Sequence, residues 1–118
     1  MEIGTTFAVQ HAHDFAGWLT VNGQEARDIW LILYKKASGK QTVTYQQLVE
    51  VALCYGWIDG IMKTLDSEKY AQRFTPRRKG STWTESNKAL ARRLLAEGRM
   101  TPAGKSVLPA DVLPSRPA

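Results

Sequence analysis

The sequence predicts an α+β domain: a small antiparallel or mixed sheet with a β-hairpin, packed against about three to four helices. Three observations point there. The apolar run Ile29 to Tyr34 is too short for most helices and reads as a strand covered on both faces, hence central in its sheet. Two β-prone runs, Trp57–Met62 and Lys69–Thr75, flank a turn-like stretch of about five residues and read as a hairpin. Helix-start patterns at Thr44 to Gln47 and Thr82 to Glu85 are each followed by apolar residues at helical spacing.

The elements follow in order. Thr5 to Val9 is β-prone and makes a short first strand. Phe15, Trp18 and Leu19 share one helix face, with Asp14 as the expected cap and Asn22-Gly23 as the stop. After the central strand, Lys35 to Lys40 is a polar loop. Thr44 and Gln47 form a capping box for a core helix that Gly56 ends near Tyr55. Pro76 closes the hairpin because proline cannot donate to the ladder. Thr82 and Glu85 match a second capping box, with Thr84 as a rival cap. The helix they start carries Asn87, Leu90, Ala91, Leu94 and Leu95 on one stripe and ends before Gly98. Thr101-Pro102 starts a short helix to about Leu108. Residues 1–108 form one domain. Residues 109–118 hold three prolines without periodicity and read as a frayed tail.

A lone cysteine, Cys54, excludes an intrachain disulfide and any C-x-x-C motif; in its apolar run it reads as a buried small hydrophobe. His11 and His13 lack an evident third ligand, so no metal site is assigned. The N-terminus carries neither a basic nor an apolar leader segment, and no apolar run reaches the ~18 residues of a membrane span. A cytoplasmic protein without a transmembrane segment is the expectation. No cofactor motif, phosphate loop, nucleophile elbow or paired-carboxylate pattern is present, so no catalytic residue is assigned and a hydrolase of known type is poorly supported.

The net charge of +5 is unevenly distributed: residues 63–105 hold eleven Lys/Arg against four Asp/Glu. Such a field favours anionic partners, a small ligand or nucleic acid among them; it also serves solubility alone. Within the basic half, Arg73, Arg77, Arg78 and Lys79 precede Ser81, Trp83 and Asn87 on the way into a helix. Arginines grip phosphates bidentately, and an exposed indole stacks on a base. Asp59 interrupts the apolar strand beside Trp57, and a half-buried carboxylate without a partner costs several kcal/mol. Two readings follow: a structural Asp59–Arg73 or Asp59–Arg77 pair that pins the hairpin, or an acid that orients an arginine toward an anion. The hairpin register is open by one residue, which leaves the shared face of 59 and 73 undetermined. The candidate ligand-binding set is therefore Trp57, Asp59, Arg73, Arg77, Arg78 and Lys79 with Ser81, Trp83 and Asn87.

These strings also carry a family resemblance. Ala52 to Gly60, Arg73 to Arg77, the Ser81-x-Trp83-x-x-x-Asn87 pattern and Gly98 to Gly104 resemble the YdeI/OmpD-associated family, also called bacteriocin-protection proteins; with Trp30 to Lys36 and Thr44-Tyr45 the similarity spans about residues 7–108 in order. The resemblance implies a setting in envelope stress and resistance to bacteriocins or antimicrobial peptides, and a protein partner. Some relatives are described as periplasmic. It brings no catalytic residues. Three functions remain: a basic binding module for an anion, an enzyme on a small anionic substrate using Asp59 with Arg73 or Arg77, and a protein-interaction module.

Overall fold

The computed structural model describes residues 2–113. In chain order the elements are β1 (Thr6–Ala8), α1 (Ala12–Asn22), β2 (Ile29–Tyr34), α2 (Tyr45–Cys54), β3 (Trp57–Thr64), β4 (Lys69–Pro76), α3 (Glu85–Ala96) and α4 (Pro102–Lys105). The strands form one mixed sheet in the order β1-β2-β4-β3, with β1 parallel to β2 and the other pairs antiparallel. The α+β architecture is the expected one, and β2 is central, as its unbroken apolar run requires.

Alternation along β2 sends Ile29, Leu31 and Leu33 toward α1 and α2, where they meet Phe15, Leu19, Leu48, Val51 and Phe74 in the main core. Trp30 takes the opposite face, directly across from Arg73 on β4, and is fully buried. Helix α2 is covered on two sides, which explains its wide apolar surface. Leu48, Val51 and Ala52 face the sheet; Leu53 and Cys54 join Ala91, Leu94, Met100, Leu108 and Val112 in a second cluster under α3 and α4.

The capping chemistry is met with two corrections. Thr44 and Gln47 close the box at α2: the Gln47 N–H donates to Thr44 Oγ1 at 3.1 Å and Gln47 Oε1 accepts from the Thr44 N–H at 2.9 Å. At α1 the cap is His11, not Asp14. Asp14 sits three residues inside and accepts from the N–H groups of Gln10 and His11, both at 3.0 Å, which holds its carboxyl below the usual range. At α3 the cap is Thr84, which accepts from the Asn87 N–H, rather than Thr82. A cap must immediately precede the first helical residue, and that residue is Glu85.

The hairpin strands run longer than expected, to Thr64 and Pro76, and a bulge lies between Asp59 and Met62. Gln72 fills that defect: its Nε2 donates to the carbonyls of Gly60, Ile61 and Arg73 at 2.7, 3.3 and 3.2 Å. This accounts for a polar residue 3% exposed on the core side of β4. Helix α4 is one turn, shorter than expected. Residues 109–113 turn back on the domain, burying Val112 and pairing Asp111 with Lys88 and Arg92. The rest of the expected tail, 114–118, lies outside the described residues. Among those described, no helix is long and apolar enough to cross a membrane.

Candidate functional site

Register decides which of the candidate residues meet. Asp59 lies opposite Phe74 on β4, so the two share the helix-covered face, and Arg73, one residue away, projects from the other. Arg73 pairs instead with Asp28, at the entrance to β2, its Nε 3.1 Å from Asp28 Oδ2. The expected Asp59–Arg73 pair does not form. The Asp59 carboxylate accepts a hydrogen bond from the Tyr45 hydroxyl at the start of α2. Burial, then this bond, raise the Tyr45 phenol, so it stays a neutral donor.

Arg77 is the hub of what does converge. It follows Pro76 at the end of β4, and its N–H donates to the Gly56 carbonyl at 2.7 Å. Its guanidinium carbon stands 3.9 Å from the centre of the Trp83 ring. Nη1 donates to Ser81 Oγ at 3.3 Å and to the Thr82 carbonyl at 3.4 Å. The residue is 7% exposed, yet its Nε has no hydrogen-bond partner among the described residues. Burial lowers the guanidinium from the usual arginine value, and the charge of Asp59 opposes that shift.

Of the cavities that meet at this arginine, two bear on the candidate residues. One, enclosed by Trp57, Asp59, Arg77, Asn87 and their apolar neighbours, has a volume of about 10 Å³, room for a water at most. It leaves Asp59 no room for a substrate on that side. The other is about 540 Å³ and is lined by Ala26, Arg27, Arg73, Thr75, Pro76, Arg77 and Arg78. Among the described residues, Asp28 is the only carboxylate in an ion pair with any of its four arginines.

The remaining candidates take other places. Trp57 is a core residue, 2% exposed, edge-on to Trp18 and donating Nε1–H to the Gly23 carbonyl at 3.3 Å. Trp83 is partly buried with one face against Arg77, so the expected base-stacking platform is half occupied. Lys79 is exposed in the turn. Cys54 is buried, and burial raises its thiol. The rings of His11 and His13 stack at 5.2 Å.

Sequence reasoning missed Arg27 and Asp28, which reach the site from the loop before β2, and Tyr45, the partner of Asp59. The Arg27-Asp28 pair just ahead of the strongest strand was the available signal, but only the β2–β4 pairing gives it meaning.

A family model described as "Domain of unknown function (DUF8412)" matches residues 7–107. Neither a curated protein nor a solved structure matches the chain.

Proposed function

We propose that this chain, which belongs to the DUF8412 family of domains of unknown function, is a binding module whose arginine-lined cavity receives a small phosphate-bearing anion. The carrying observation is the wall itself: four arginines around one cavity of about 540 Å³, with a single carboxylate paired to them. Like charges gathered along one concavity repel one another, and an anion relieves that repulsion. Guanidiniums offer planar forks that match phosphate oxygens two at a time. Arg77 reaches this wall from a buried position, its Nε enclosed and without a partner among the described residues, and a desolvated donor left unsatisfied costs about 1–3 kcal/mol or more.

A small ligand fits better than a nucleic-acid strand. The cavity lies within the usual ~300–1,000 Å³ range of small-molecule sites, and Trp83 presents no free pair of faces to successive bases. The cellular setting in bacteriocin or antimicrobial-peptide resistance, implied by the YdeI/OmpD-associated resemblance, joins this proposal on sequence motifs alone.

Calorimetric titration with inorganic pyrophosphate tests it. Arg73→Ala and Arg78→Ala should each weaken binding about tenfold or more, the scale of one charge-assisted contact. Lys79→Ala should leave it within about twofold, since a screened surface charge contributes little. Equal effects from all three would reduce the site to a diffuse basic surface. A single-stranded oligonucleotide that binds more tightly, with a salt slope growing with its length, would transfer the reading to nucleic acid.

A further inference from the structure

A second cavity, larger than the arginine site and independent of it, lies at the other end of the hairpin. Helix α2 starts at Tyr45 and covers the sheet from there toward Trp57, whereas β3 and β4 run on to Thr64 and Lys69. The inner face of the hairpin beyond α2 thus forms a groove of about 670 Å³. Tyr45, Met62 and Tyr70 supply its apolar walls, Gln72 lies among them, and Lys35 and Lys36 line it from the loop after β2.

Its walls are held in place. The Tyr45 hydroxyl is anchored on Asp59, and the Gln72 amide is anchored on the bulge carbonyls of Gly60 and Ile61. Met62 is 53% exposed, a large apolar side chain presented to solvent on a bulged strand. Burial raises the phenols of both Tyr45 and Tyr70, so the rings offer neutral, polarisable surface rather than charge. The nearby Asp59 carboxylate is engaged by Tyr45, while among the described residues Lys35 and Lys36 have no carboxylate within 4 Å. Two aromatic rings and a thioether sharing one groove with two lysines match one ligand chemistry: a flat apolar body ending in a carboxylate or sulfonate.

We propose that this groove binds a small aromatic anion, its ring system between Tyr45, Met62 and Tyr70 and its charged end at Lys35 and Lys36.

The probe is 1-anilinonaphthalene-8-sulfonate, followed by its fluorescence on titration with protein, beside the uncharged N-phenyl-1-naphthylamine. The expected result is saturable one-to-one binding, at least fivefold tighter for the charged dye. Met62→Glu and the double variant Lys35→Gln/Lys36→Gln should each weaken it at least fivefold. Arg73→Ala/Arg78→Ala should leave it within twofold, which separates this groove from the arginine cavity. Each altered side chain is at least partly exposed, and far-UV circular dichroism with thermal melting confirms that the variants fold; Tyr45→Phe, which keeps the ring and frees Asp59, is the second probe of the wall and should retain binding. Equal affinity for the two dyes, indifference to the Met62 and lysine substitutions, or loss only in the arginine variant would overturn the assignment.

Discussion

The Arg77 guanidinium stands over the Trp83 indole at 3.9 Å, and this contact fixes the turn that follows the hairpin. A desolvated cation on an indole is worth up to about 2 kcal/mol, more than the long Nη1 bonds to Ser81 and Thr82 add. The basic loop is thereby fastened to the end of β4, and its residue 78 is brought to the cavity wall.

Replacing Arg77 separates shape from charge. Arg77→Met should leave stability within about 1 kcal/mol, because an apolar chain of similar length fills the space and removes a buried, partly unsatisfied charge. Arg77→Lys should cost more, about 1–2 kcal/mol, since a strongly hydrated ammonium neither stacks like guanidinium nor tolerates burial. Urea denaturation compares the two; a reversed order would mean that charge, not packing, holds the turn.

Asp28 competes with a ligand for Arg73. Asp28→Asn should tighten pyrophosphate binding about three- to tenfold while costing under about 1 kcal/mol, the usual scale of a partly exposed pair. Weaker binding in the variant would show instead that Asp28 orients Arg73 for its ligand.

Glu50 on α2 joins Arg93 of α3 at 2.8 Å and Arg99 at 3.1 Å. Burial raises its carboxyl, but the two arginine bonds outweigh burial and the net shift is downward. A depressed folded-state value means that the stabilisation is complete above the unfolded value of about 4.3 and is lost as pH falls through the folded value. Glu50→Gln should therefore cost about 1 kcal/mol at pH 7, the partners being half exposed, and close to nothing in acid well below pH 4. Thermal melts across pH 2.5–7 read the convergence; a gap that persists at the acid end would exclude this linkage.

Gly104 is where the α4 backbone passes close to the C-terminal end of α2. A Cβ there would overlap the Cys54 carbonyl, the same group that accepts from the Thr101 N–H at 3.0 Å and from Thr101 Oγ1 at 2.7 Å. Gly104→Ala should cost about 2–4 kcal/mol, since backbone on both sides cannot yield. Denaturant unfolding measures it; a loss under about 0.5 kcal/mol would contradict the close approach.

Much of the fold was legible because local rules governed it. Ile29 to Tyr34 is a central strand by its unbroken apolar run, and the Thr44–Gln47 box and Thr101-Pro102 start their helices as their chemistry requires. The site was half legible for the opposite reason. Arg77, Ser81 and Trp83 lie close in sequence and meet as local geometry allows. Arg73 and Asp59 were separated by one step of register, which alternation turns into opposite faces of a sheet. Asp28 and Tyr45 became partners through pairings 45 and 14 residues apart, which no local pattern encodes.

The most direct test follows the arginine cavity residue by residue: 1H–15N spectra of the protein titrated with inorganic pyrophosphate, including the arginine Nε–H signals. The predicted result is a saturable set of shifts confined to Ala26, Arg27, Arg73 and Thr75 to Arg78, with the Arg73 Nε–H among the largest. Shifts scattered over the lysines of the hairpin and α3, with the Arg73 signal unmoved, would contradict the proposed anion site.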